Sequence, residues 1–197
     1  LFPPRCVLCQ NHGMAGLDLC APCFDQFSGA PKPLACSHGR VYAGFAYQAN
    51  IDELIQGFKF HQQLGYGRML AKLSLPAFSN IERPMALIPV PLHTQRLRQR
   101  GFNQSLELAK YWGKQTGIPV LHDGLIRQRA THVQSELKAA ERLPNVSGAF
   151  IAKGALPTHV ALVDDVYTTG ATCMAAAEAL MVGGVQRVDV WCLARVL

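Results

Sequence analysis

Val160-Ala161-Leu162-Val163-Asp164-Asp165-Val166-Tyr167-Thr168-Thr169-Gly170-Ala171-Thr172 is the stretch that decides the fold of this chain. Its first four residues are apolar and read as a buried strand. Two adjacent carboxylates follow, then small and hydroxylated residues, then a helix-forming run over 173–181. A strand, a turn and a helix N-terminus in that order make an anion site. The free N–H groups of the first helical turn face the ligand, and the helix dipole favours negative charge there. Thr168, Thr169 and Thr172 add hydroxyl donors, and Gly170 lets the backbone approach a phosphate closely. Asp164 and Asp165 stand just upstream, placed to hold sugar hydroxyls or a divalent cation.

The apolar strand, the Asp-Asp pair and the Thr-Gly-Ala-Thr turn resemble the phosphoribosyl-pyrophosphate (PRPP) motif of type I phosphoribosyltransferases. That resemblance implies that the acidic pair holds the ribose hydroxyls. Thr168, Thr169, Gly170, Ala171 and Thr172 would hold the 5′-phosphate. The acidic strand of a P-loop ATPase is excluded, because it requires G-x-x-x-x-G-K-[ST]. Gly113-Lys114 is followed by Gln115.

Working outward, 41–47 and 86–90 read as strands, 120–121 as the start of another, and 187–196 as a last one. Helices are expected over 51–60 with Asn50 as N-cap, over 69–75, over 102–116 ending at Gly117, and over 169–182 ending at Gly183-Gly184. For the helix over 102–116 the buried face is expected to carry Phe102, Leu106 and Ala109. Strands alternating with helices predict an α/β fold, a parallel doubly wound sheet with its ligand at the carboxyl ends of the strands.

A second phosphate-directed segment precedes the motif. Pro89-Val90-Pro91-Leu92-His93 ends a strand in a rigid turn, and Arg96-Leu97-Arg98-Gln99-Arg100-Gly101 follows. Alternate arginines before a glycine suit a mobile loop that closes on a polyphosphate. Each guanidinium forks onto two oxygens, and the glycine permits hinge motion. Arg127 and Arg129 form another basic cluster. The formal charge of +6 fits a phosphate-rich ligand or nucleic acid, though a solvated basic face has the same signature.

Five of the seven cysteines lie in the first 36 residues. Cys6-x2-Cys9 and Cys20-x2-Cys23 can present four thiolates to one tetrahedral ion, the pattern of a closed structural zinc site. Two disulfides are the rival reading. His12 lies inside the loop, but the four-sulfur set is complete without it. Cys173 reads as a small buried hydrophobe, and Cys36 and His38 read as core or surface residues. Pro31-Lys32-Pro33 is a linker, so a zinc-binding module over 1–36 and a second domain over 37–197 are expected. No apolar run reaches the roughly 18 residues of a membrane span. The opening Leu1-Phe2-Pro3-Pro4-Arg5 lacks a secretory h-region, so a cytoplasmic location is expected.

Taken together, the chain resembles the ComF (ComFC/GntX-like) family. The resemblance rests on the paired cysteines, residues 89–93, Arg100-Gly101-Phe102-Asn103-Gln104, Arg142 with Asn145, Gly148-Ala149-Phe150, and residues 164–172. It implies a phosphoribosyltransferase-like domain in which Pro89, Val90, Pro91, Leu92, Arg96, Arg98 and Arg100 hold pyrophosphate with magnesium. It further implies a part in natural transformation, on incoming single-stranded DNA, beside a competence helicase and recombination proteins. Three functions stay open at this point. One is a PRPP- or phosphosugar-binding DNA-uptake factor. Another is an active phosphoribosyltransferase of unknown acceptor. The third is a zinc-ribbon nucleic-acid binder on a transferase scaffold. Tyr167 suits either base stacking or the core.

Overall fold

The computed structural model describes residues 4–27, 29–60, 63–128 and 148–197. Arg129, Arg142 and Asn145 lie outside them. The described elements are α1 (Ala21–Phe24), β1 (Leu34–Cys36), β2 (Gly39–Ala46), α2 (Ala49–Phe60), α3 (Leu64–Ser74), β3 (Ala86–Pro89), α4 (Thr94–Arg100), α5 (Gln104–Thr116), β4 (Leu125–Arg127), β5 (Phe150–Ala152), β6 (His159–Tyr167), α6 (Ala171–Val182) and β7 (Arg187–Arg195). The main sheet runs β1-β2-β7-β6-β3. Its four longer strands are parallel, and β1 pairs antiparallel with β2 at the edge. β4 and β5 form a separate antiparallel pair.

Side chains alternate along each central strand and feed two cores, one on each face of the sheet. Tyr42, Phe45, Leu87, Ala161, Val163, Trp191 and Leu193 face α2, α3 and α5. Val41, Ala43, Ile88, Val160, Leu162, Val188 and Val190 face α6 and the β4–β5 pair. This is the doubly wound arrangement that the alternation of strand and helix patterns predicts. In the first core Phe78 stacks on Trp191 at 4.4 Å and meets Trp112 edge-on at 4.9 Å. The Trp112 indole N–H donates to the Ala71 carbonyl at 3.0 Å, so its burial leaves no donor orphaned.

Several expectations change in detail. Asn50 sits inside the first turn of α2, not at its cap, and its amide donates to Gln26 at 3.0 Å. The second helix starts earlier, at Leu64, and passes at Leu75 into a 3-10 turn, because the next residue, Pro76, offers no N–H to continue the α ladder. α5 starts at Gln104, capped by the Asn103 side chain, and Gly117 closes it in the left-handed region. Its buried stripe is Ser105, Leu108, Ala109 and Trp112, with Leu106 only half-buried. Val120 makes a single parallel bridge to Leu87, not a strand. β1, β4 and β5 were not expected, being each three residues long and too short to show a period.

The largest correction concerns 94–100. It is a helix, not a loop, capped by the His93 ring, which accepts from the Gln95 N–H at 3.3 Å. Gly101, at φ 81°, is its left-handed C-cap.

The cysteine segment docks on the α2–α3 side of the sheet. Leu19, fully buried, and Cys6, Cys20 and Cys23 join the same core as Leu54 and Phe58. Phe27 meets Phe45 of β2 edge-on at 5.8 Å, and Lys72 of α3 donates to the Gly16 carbonyl at 3.1 Å. Among the described residues no helix is long and apolar enough to cross a membrane.

Candidate functional site

At the carboxyl ends of β3 and β6 the sheet opens into a cleft of about 440 Å3. β6 delivers Asp164 and Asp165 to its floor, and α5 delivers Gln104 and Ser105. The end of α2 supplies Lys59 and Phe60, α4 supplies Arg96 and Arg100, and β4 supplies Arg127. Thr168 and Thr172 close the side nearest α6.

The two carboxylates are held differently. Asp164 Oδ1 accepts the Ser105 hydroxyl at 3.1 Å and the Asp165 N–H at 2.9 Å. Its Oδ2 accepts the Cys173 thiol at 3.7 Å. Burial and the neighbouring Asp165 charge push its carboxyl up to about 6, against the pull of the Asp165 N–H, Lys59 and Ser105. Asp165 Oδ1 pairs with Lys59 Nζ at 3.0 Å and accepts the Val166 N–H at 2.6 Å. One carboxylate is therefore neutralised by a fixed cation, while the other sits in a cage of neutral donors.

A cationic wall shares the cleft with the acids. Arg100 donates to Gln104 at 3.1 Å and lies 4.7 Å above the Phe60 ring. Burial and the adjacent Arg96 charge bring Arg127 down to about 10, with Asp164 pulling the other way. Arg96 and Arg127 line the same cleft, and two guanidiniums in one cleft suit an anion. Arg127 also lies 5.3 Å over the Phe150 ring, which fixes its direction. Asn103 ties the wall to β3 through its amide, which donates to the Val90 carbonyl at 3.1 Å.

A smaller recess adjoins the cleft at the start of α6. Asp164, Thr168, Gly170, Ala171 and Thr172 line it. Gly170, at φ 76°, caps α6 with no side-chain bond to the first turn, so those N–H groups face outward for a ligand. A Cβ at Gly170 would overlap the Tyr167 hydroxyl. Tyr167 itself is buried in the second core, and burial pushes its phenol up to about 12. It packs in that core and also lines the recess.

The structure brings Asp164, Asp165, Thr168, Thr172, Val90, Leu92, Arg96 and Arg100 to one cleft, with Gly170 and Ala171 beside it. Thr169 is exposed and lines neither space. Pro89 is buried in β3, and Pro91 lies at the turn, half-buried. Arg98 points elsewhere: it borders a surface hollow with His93, Gln95 and Gln99. Helical geometry is the reason, since i and i+4 share a face and i+2 does not. Lys59 and Ser105 carry no local signal that marks them for the site, and Arg127 stands in the sequence only as part of a basic cluster.

Away from the cleft, the sulfurs of Cys6, Cys9, Cys20 and Cys23 lie within 4.8 Å of one another, with Cys9 and Cys20 at 3.5 Å. Four thiolates on a tetrahedral zinc at roughly 2.3 Å require S–S separations of this order. Burial raises Cys6, but N–H groups of Cys20, Cys9 and Leu8 win and bring its thiol down to about 6. These donors favour the thiolate at Cys6, while the neighbouring sulfurs and burial push Cys23 up. His12 is not in the cluster.

Comparison with known proteins bears on the cysteine segment and on the chain as a whole. The double zinc ribbon domain matches residues 1–42. The chain is 34% identical to Competence protein F of Haemophilus influenzae over 202 residues, 98% of this chain and 85% of that one. It is 33% identical to the DNA utilization protein YhgH of Escherichia coli K12, over 98% of this chain and 84% of that one. Competence protein ComFC of Bacillus subtilis is 31% identical over 71% of this chain and 57% of that one. The four-cysteine cluster is accordingly a zinc site of the ribbon class.

Proposed function

Because this chain belongs to the ComF competence-protein family, we propose that it acts in natural transformation, in the cytoplasm, on incoming single-stranded DNA. We propose further that its cleft binds PRPP or a related phosphosugar. The observation that carries this reading is the pairing of Asp164–Asp165 with Arg96, Arg100 and Arg127 across one cleft, beside the open N-terminus of α6. A sugar carrying phosphates at two ends needs that combination: acceptors for its hydroxyls in the middle and anion seats on both sides. The recess at Thr168, Gly170 and Thr172 suits the 5′-phosphate, and the arginine wall suits the pyrophosphate.

Magnesium would accompany the ligand. It prefers phosphate oxygens and its own waters. Both oxygens of Asp164 and one of Asp165 already accept hydrogen bonds, so these residues fit the ion through its water shell. When bound, it would neutralise the pyrophosphate charge. The chain's own part is to orient the ribose through Asp164 and Asp165 and to hold the phosphates. Turnover onto an acceptor is a second reading, favoured by the completeness of the acidic pair and the anion seats.

Calorimetric titration of PRPP with magnesium into the wild type and into Asp164→Ala/Asp165→Ala tests the binding reading. Heat of binding in the wild type alone supports it. No binding by either protein overturns it and leaves DNA as the ligand to pursue. Pyrophosphate release with a candidate base would establish the transferase reading.

A further inference from the structure

Lys59 is the last charged residue of α2, and its ammonium is directed into the cleft. Its Nζ lies 3.0 Å from Asp165 Oδ1, and the two side chains are only 16% and 14% exposed. The backbone of the same residue is held too: the Lys59 carbonyl accepts the Gln104 amide at 3.4 Å. The next residue, Phe60, carries the Arg100 guanidinium on its ring. The end of α2 is thereby fastened to α5 and lies against α4, so the ammonium is held at a fixed place on the acidic floor.

A divalent ion that ligated Asp165 through Oδ1 would have to displace this ammonium. An ammonium carries three donors and no acceptor. One donor is spent on Asp165, which leaves others to reach the ligand's oxygens. A cation with fixed donors beside a carboxylate does much of what a hydrated magnesium does in such a cleft. It neutralises the acid, and it bridges it to an anionic ligand.

We propose that Lys59 is a resident counter-ion for the acidic pair, and that it makes phosphosugar binding largely independent of magnesium. This rests on the phosphosugar reading of the cleft. Lys59 positions Asp165 as an acceptor for a sugar hydroxyl and supplies the positive charge that would otherwise have to come with the metal.

The test is calorimetric titration of PRPP into the zinc-loaded full chain, in metal-depleted buffer and in buffer with magnesium. Strong chelators are avoided because they would strip the zinc ribbon. The variants are Lys59→Met, which keeps the length of the side chain, and Lys59→Arg, which keeps the charge. In the wild type and Lys59→Arg, withdrawing magnesium changes affinity by no more than about threefold, well under one charge-assisted hydrogen bond. In Lys59→Met the same withdrawal weakens binding by about tenfold or more, and magnesium restores it. A wild type that loses binding without magnesium as steeply as Lys59→Met overturns the proposal, as does a Lys59→Met protein that binds like the wild type in both buffers. If Lys59→Met binds in neither buffer, the wild type and Lys59→Arg decide it by their own magnesium dependence. A wild type that binds PRPP in neither buffer refutes the phosphosugar reading itself, and the proposal with it.

Discussion

Ser105 donates its hydroxyl to Asp164 Oδ1 at 3.1 Å, joining residues 59 apart in sequence at the floor of the cleft. The bond comes from the first turn of α5, whose start is fixed by the Asn103 cap. It is one of the contacts that favour the charged form of a carboxyl otherwise pushed up to about 6 by burial and by Asp165.

That balance sets a pH dependence. The folded-state value lies above the ordinary carboxyl value, so between about 4 and 6 the folded state binds more protons than the unfolded one. Stability contributed by this group is therefore present at the acid end and declines as pH rises through that window. Ligand binding runs the other way, because a sugar hydroxyl needs the ionised acceptor. PRPP affinity should rise from pH 5 to pH 7 with a midpoint near 6, that of Asp164. Ser105→Ala should move the midpoint upward, and Asp164→Asn should flatten the profile. A flat wild-type profile measured by calorimetry would contradict the assignment.

The helix over Thr94–Arg100 separates its arginines into two faces. Arg96→Ala and Arg100→Ala should each weaken PRPP binding by roughly tenfold or more, the size of one charge-assisted contact. Arg98→Ala should leave affinity within about twofold, since its side chain lies outside the cleft. Equal losses for all three would mean that 94–100 acts as a loop when ligand is bound.

Gly170→Ala should damage both fold and site. At φ 76° an L side chain costs about 1–2 kcal/mol, and its Cβ would also press on Tyr167. In a chain of this size that strain lowers Tm by roughly 2–8 °C. Loss of 5′-phosphate binding should accompany it, read with ribose 5-phosphate as the titrant. A variant with unchanged Tm and unchanged binding would show that α6 starts elsewhere.

Zinc removal should reach beyond the first residues. Cys6→Ser or Cys23→Ser should lose zinc by atomic absorption. The Tm of the whole chain should drop by several degrees, at about 2–4 °C per kcal/mol, because Leu19 and the cysteines share a core with α2 and α3. Unchanged zinc content would refute the four-sulfur site.

Some features of this protein are carried by local pattern alone. An apolar strand, an acidic pair and a small-residue turn before a helix were legible at 159–182 because strand period, turn chemistry and helix-forming run are short-range signals. The two Cys-x2-Cys turns were legible because a tetrahedral ion fixes their spacing. Tertiary structure decided the rest of the cleft. Lys59 reaches Asp165 only because α2 and β6 meet at one end of the sheet, and Ser105 reaches Asp164 only because α5 packs on β6. Whether alternate arginines act together or part company depended on the backbone between them. A loop would let all three turn inward, whereas 3.6 residues per turn sends Arg98 away from Arg96 and Arg100. Local pattern names the candidate acids, arginines and hydroxyls, and long-range packing chooses which of them share a cleft.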